Sequence, residues 1–412
     1  DVAWLGHGPD DSVFDFGFSK NGADTLARWG RDTIVERLAI AYRQYRPDIV
    51  IPTFLDVPGQ HGHHRAMTEA AEAALAMAAD SGFITPNIEP WSVSKYYLPA
   101  WSGGGDTYDD EVPPPVATVE MVAPGRDVPT GASFSAIGEW SRAYHATQGM
   151  GRWITDPKTT WPLHLRQGPA ETETDIRDNL PATLGKLADR LPTQSAGALH
   201  AAQQQIDAAQ RAFPDRSAVI DALLQAATAV DHARDSAGDD VLRQHGHRLE
   251  RKLKEIDAAL LLAEGIDPIA WAEPHRLPAG GASMLKVQLD GNSLPVTATP
   301  LAQADITVAA PVVEPQGFAF SLSIASDAPL SSQFAPGFAS LGGNGPLRVA
   351  ISANIQGRMA TTVIDLEEPL AVAPRHSVSL QPSTIIINRL RPPATPALSI
   401  AVRPAQTPAT LA

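Results

Sequence analysis

The apolar residues of this chain change their spacing twice, and that change limits the fold more than any other feature. Up to about residue 185, short apolar runs alternate with helical stretches. From 186 to 264 the apolar residues recur every three or four positions, and after about Arg276 they alternate with polar ones. Spacings of 3.6 and 2 mark an amphipathic helix and a half-buried strand respectively. One chain of 412 residues thus holds an α/β part, a helical part and a β part in that order. At roughly 100–200 residues per domain the length suits that division.

In the first part, Asn21-Gly22 marks a turn. The spacing predicts a helix over about Thr25–Arg46, with Ile34, Leu38 and Tyr42 on one face and Pro47 ending it. Ile49-Val50-Ile51 is an apolar run of the buried parallel-strand kind. After a loop from Pro52 to Gln60, Arg65–Ala79 has strong helix formers and Ser81-Gly82 to stop it, and Val93–Leu98 reads as the next strand. This is the rhythm of a doubly wound α/β layer. Residues 102–132, rich in Gly, Pro and Asp, read as a long surface loop; Ser133–Gly149 reads as a helix and 150–185 as irregular.

Residues 186–264 read as an antiparallel helical hairpin. Val219, Leu223, Ala226 and Val230 share one face, and Leu242, Leu249, Leu253, Ile256 and Leu260 share another, with Asp239 as N-cap and Gly265 as terminator. Leu285, Val287 and Leu289 alternate, as do Phe318 to Ile324 and Leu347 to Ala353, which is the pattern of a β-sandwich. The expected divisions are 1–185, 186–268, 269–373, and a tail or further β unit over 374–412.

Composition removes whole classes of function. The chain has no cysteine, so disulfides, zinc fingers, iron–sulfur clusters and thiol nucleophiles are excluded, and any metal must be held by His, Asp or Glu. Its 46 acidic residues against 32 basic ones leave a net charge of −14, which argues against nucleic acid or an anionic membrane surface as the main partner. No apolar run approaches the roughly 18 residues of a membrane span. The absence of cysteine together with a β-rich tail is compatible with a secreted or periplasmic setting.

One dense constellation remains: Gln60-His61-Gly62-His63-His64-Arg65-Ala66, holding three of the 12 histidines. It follows a strand and loop and opens a helix, and ligands of open α/β sheets bind beyond the carboxyl ends of the strands. A histidine in a first helical turn is biased towards the neutral form. His61 and His64, three apart, are able to face one site. The plainer alternative is a polar helix cap that happens to be rich in histidine. His245 and His247 lie two apart on different helix faces and suit no shared metal. Trp91, Trp101 and Trp140 are candidates for stacking on a sugar, although packing is the ordinary use of Trp.

Several segments in order resemble a known family. They are Phe14-Asp15-Phe16-Gly17-Phe18-Ser19-Lys20, Trp29-Gly30-Arg31, Tyr45-Arg46-Pro47-Asp48-Ile49-Val50, His61-Gly62-His63-His64-Arg65-Ala66 and His145-Ala146-Thr147-Gln148-Gly149. Together they resemble the LmbE-like deacetylases, also called the PIG-L family, over about residues 10–185. The resemblance implies a Rossmann-like three-layer domain and a zinc-dependent hydrolase that removes N-acetyl groups from a small amino sugar or glycan. It implies that His64 ligates zinc, that His61 assists the tetrahedral intermediate, and that His145 lies on the substrate side. In the family a His-Pro-Asp-Asp segment supplies the other zinc ligands and the general base. Here the nearest sequence is His7-Gly8-Pro9-Asp10-Asp11, with an inserted glycine and only six residues before it. It reads as a polar surface loop, and the chain as a fragment lacking its amino-terminal portion, inactive as given. The competing expectation is a non-catalytic carbohydrate-binding or structural protein with a degenerate deacetylase domain.

Overall fold

The computed structural model describes residues 1–8, 10–101, 112–123, 125–127, 130–145, 159–169, 173–289, 294–332, 337–383 and 398–404. Helices and sheets are mixed throughout, and the chain divides into two units, Ala3–Ala182 and Asp1–Val2 with Thr183–Ala412. Among the described residues no helix is long and apolar enough to cross a membrane.

After the short strand β1 (Val2–Ala3), the first unit opens with α1 (Gly22–Trp29) and α2 (Arg31–Tyr45). The single helix expected over Thr25–Arg46 is therefore two. Gly30 sits at φ 79°, which breaks the helix between them. Asn21 caps α1 by accepting from the Ala23 and Asp24 N–H groups. Ile34, Leu38 and Tyr42 line the buried face of α2, as their spacing predicts.

Strand β2 (Ile49–Val50) pairs in parallel with β3 (Lys95–Pro99), and α3 (Gly62–Ala79) is the crossover between them. Strands β4 (Val119–Val122) and β5 (Thr160–Gln167) complete a sheet in the order β2-β3-β5-β4, with both added pairings antiparallel. The sheet is thus mixed, β2 is a half-buried edge strand, and two stretches read as loop or irregular supply strands. Pro162 inside β5 hid that strand, since proline ordinarily marks the end or edge of one. Helix α4 (Phe134–Ala143) follows its Ser133 cap; the rest of the expected helix to Gly149 lies mostly outside the described residues.

Neighbouring tyrosines show how the sheet divides two cores, because successive side chains point to opposite faces. Tyr96 joins Leu26, Trp29, Ile34 and the alanines of α3 on one side. Tyr97 joins Val119 and Leu163 on the other. There the Lys95 ammonium lies 2.5 Å from Glu173, and the Tyr97 hydroxyl donates to the same carboxylate at 2.5 Å. Burial, and then that hydrogen bond, push the Tyr97 phenol far up. These contacts fasten the turn after Glu173 to the sheet.

The second unit begins with α5 (Leu184–Ala188), α6 (Thr193–Ala212), α7 (Arg216–Asp235) and α8 (Asp239–Ala263). The expected hairpin is therefore three long helices. The Ala- and Gln-rich α6, which buries Leu199 and Ala202, is the helix not expected. Asp239 is the first helical residue and Gly238 the cap, so its carboxylate favours the helix end through charge and not through a capping bond.

Next come β6 (Ile269–Glu273), β7 (Arg276–Leu277), β8 (Ala282–Gln288), β9 (Val296–Ala302), β10 (Ile306–Val308), β11 (Val312–Glu314) and β12 (Gly317–Ile324). They are followed by β13 (Gly337–Phe338), β14 (Leu347–Ile355), β15 (Arg358–Asp365), β16 (Ala371–Val372), β17 (His376–Gln381) and β18 (Ser399–Pro404). Two antiparallel sheets result, one ordered β10-β12-β8-β6 with β11 on β12, the other β15-β14-β9. Their alternating residues Leu285, Val287, Phe320, Leu322, Val349 and Ile351 share a core with Leu223, Val230, Leu253 and Leu260 of the helices. Arg358 adds a polar tie, reaching Asp257 at 2.7 Å and Asp231 at 2.8 Å. Strands β17 and β18 form a separate antiparallel ribbon.

Candidate functional site

The histidine segment begins where the loop after β2 enters α3, and His61 is the N-cap of that helix. Two glycines allow this entry to pack. The Gly62 N–H donates to the Ser19 carbonyl at 2.7 Å, and a Cβ at Gly62 would meet Ser19 Oγ, lie 2.6 Å from the Asn21 oxygen and 2.8 Å from Thr25 Oγ1. A Cβ at Gly22 would come within 2.9 Å of Arg65 Cβ. The first turns of α1 and α3 therefore approach closely only because both positions lack a side chain. From the other direction, the Thr68 hydroxyl donates to the Phe54 carbonyl at 2.7 Å, tying the preceding loop to the helix.

The three histidines separate two and one, as helical geometry requires. His61 and His64 lie with ring centroids 5.9 Å apart and planes 30° from parallel. Phe54 stands edge-on to His64 at 4.2 Å, and Phe18 edge-on to His61 at 5.2 Å. His63 turns away, packing 4.4 Å from Phe16 and 5.2 Å from Trp29, with Nε2 3.8 Å from the Asp15 carboxylate. Burial, and after it the positive potential of His61 and His63, lower the pKa of His64. His64 therefore offers a neutral ring nitrogen near pH 7, suited to a metal or a hydrogen bond.

The other candidates are not brought to this pair. His145 stands exposed just past α4, its N–H donating to the Arg142 carbonyl at 3.0 Å, and no ring contact or hydrogen bond joins it to His61 or His64. Gln148, its partner in the His-x-x-Gln pattern, lies outside the described residues. His7 and Asp10 are exposed, whereas Asp11 is engaged elsewhere. Its carboxylate accepts from the His7 N–H at 2.7 Å, the Val13 N–H at 2.9 Å and the Arg37 guanidinium at 2.8 Å. Trp91 donates its ring N–H to the Pro47 carbonyl, and Trp101 packs against the Tyr97 core.

Burial alone would raise the Asp11 pKa, but hydrogen bonds from Val13, Arg37 and His7 outweigh it and hold it near about 2. The unfolded chain then binds a proton more readily than the folded one. The stabilisation is full above the ordinary carboxylate pKa of about 3.9 and is lost as pH falls towards the folded value. Asp11→Asn should melt lower than the parent at pH 7 and lose less than the parent between pH 4.5 and 2.5. Equal losses over that interval in the two proteins would show that Asp11 is not the group responsible.

Among the described residues no three His, Asp or Glu side chains gather as a metal-holding group. A catalytic zinc normally takes three protein ligands and keeps one position open. Two imidazoles that gather no third ligand among the described residues do not fit that requirement, so no chemical step through zinc is derived from them. A comparison with models of known protein families found no match, and comparisons with curated proteins and with solved structures found none either.

Proposed function

We propose that this chain carries the histidine side of a zinc-dependent N-deacetylase acting on amino sugars. Its first unit would be a Rossmann-like LmbE-type domain, and its sheets a β-sandwich appendage serving attachment. The observation that supports this most is the His61–His64 pair, set in the first turn of a crossover helix beyond a parallel strand and holding a neutral nitrogen. In this reading His64 would hold the metal, His61 would stand beside it as the acid–base or hydrogen-bonding group, and His145 would lie on the substrate side. Such a site also needs a carboxylate, and among the described residues no three His, Asp or Glu side chains gather to supply it.

A second reading has its own support. Asp11, in the segment nearest to the family's His-Pro-Asp-Asp, is bound up with Arg37, which favours a non-catalytic carbohydrate-binding or structural protein on a degenerate deacetylase domain. Zinc titration followed by calorimetry separates His64 from its neighbours. His64→Ala is expected to weaken zinc binding by about 10–100-fold or more, and His63→Ala to change it little. An unchanged affinity in His64→Ala would remove His64 from the site.

A further inference from the structure

We propose that the exposed ring of Phe18 is a stacking subsite for a pyranose, seating a sugar beside His61. This rests on the deacetylase reading and narrows its substrate to a glycoside gripped by the apolar face of its ring. Four rings form a continuous row, Phe18, His61, His64 and Phe54, with successive centroid distances of 5.2, 5.9 and 4.2 Å. At one end Phe54 is half-buried and its carbonyl is held by Thr68. At the other end Phe18 is 71% exposed.

A single exposed phenylalanine needs no explanation. This one ends a row that leads directly to the candidate imidazoles, and its ring already bears a cation. The Lys20 ammonium lies 5.9 Å over it and makes no ion pair among the described residues. Cation and ring hold each other loosely, leaving much of the phenyl surface wet. A ligand that suits this combination has a flat apolar face for the ring and oxygens at its rim for the ammonium's three donors. A pyranose has both, whereas an alkyl chain offers nothing to Lys20. The stacking residue proposed is thus a phenylalanine.

The test is saturation-transfer NMR and calorimetry on the metal-free chain, with N-acetylglucosamine, its β-linked dimer and hexanoate as probes. Phe18→Ala should weaken sugar binding by up to about tenfold. Phe18→Trp should restore it, and Phe213→Ala, exposed in the other unit, should leave it unchanged. Sugar binding that is absent, or equal in Phe18→Ala and the parent, overturns the proposal. So does Phe18-dependent binding of hexanoate without the sugars, which would assign the ring to an acyl chain. Zinc affinity is measured separately. Phe18-dependent sugar binding in a protein whose zinc affinity is unchanged by His64→Ala would count against the deacetylase reading while leaving the subsite standing.

Discussion

Replacing Arg43 by methionine is expected to lower the stability of the Ala3–Ala182 unit by about 3–5 kcal/mol, comparable to removing one partner of a buried ion pair. Arg43 is 1% exposed, and among the described residues no carboxylate pairs with it. Carbonyl oxygens compensate its charge instead. Nε donates to Ala78 at 2.9 Å, Nη1 to Phe83 at 2.6 Å and Nη2 to Asp80 at 2.6 Å, and Nη1 also reaches Thr85 Oγ1 at 2.8 Å. The guanidinium also lies 4.8 Å from the Phe83 ring centroid. These acceptors stand at and just beyond the end of α3, where the helix dipole is negative and the last carbonyls have no partner within the helix. Methionine fills much of the volume and leaves those buried acceptors unmet, at about 1–3 kcal/mol for each that water does not reach. Arg43→Lys should fall between, since an ammonium keeps the charge but not the planar fork. Urea unfolding followed by tryptophan fluorescence measures the loss. A methionine variant within about 1 kcal/mol of the parent would mean that water enters and replaces the guanidinium. The expected damage extends to function, because α3 presents His61 and His64 at its opposite end.

Arg43 also shows what the sequence conceals. Its neighbours Ile34, Leu38 and Tyr42 announce a buried face by spacing, and they are buried. An arginine one position beyond Tyr42 reads as solvent-facing until the turn at Asp80–Thr85 folds over it. The histidine pair was legible because the three-residue interval of His61 and His64 is a helical property, local to the segment. The Phe18 and Phe54 rings were not, since they reach the pair from loops on either side and only tertiary packing brings them there. The same distinction explains the sheet. Ile49–Val50 and Lys95–Pro99 follow short-range apolar patterns, whereas β4 and β5 find each other across about 40 residues, one after a proline-rich stretch and the other with a proline inside. In the helical part, the large apolar residues of α7 and α8 recur at helical spacing, whereas α6 buries Leu199 and otherwise mainly alanines.

The protein of residues 1–412 should not retain a full equivalent of zinc after loading and dialysis against a weak chelator, and should release no acetate from N-acetylglucosamine derivatives. The argument is one of donors. His64 offers a neutral nitrogen, and His61 stands beside it with the ring planes 30° from parallel. His63, the natural substitute, faces Phe16 and Trp29 and would have to leave that packing to join them. Asp11 would have to give up the Arg37 guanidinium together with two backbone N–H groups, the same contacts that hold its pKa near about 2. A pair of imidazoles lacks the third ligand that fixes geometry, and binding that must reorganise the protein to complete a site loses affinity by the cost of that reorganisation. Among the described residues no carboxylate joins the pair in a metal-holding group, so metal captured there would lack a general base from them. His64→Ala should abolish whatever residual binding is seen, and Asp11→Asn should leave it unchanged. Stoichiometric zinc with turnover would overturn the expectation. If Asp11→Asn then removed both, the contact with Arg37 would have to break on metal binding, and His7, Asp10 and Asp11 would be the first half of the site.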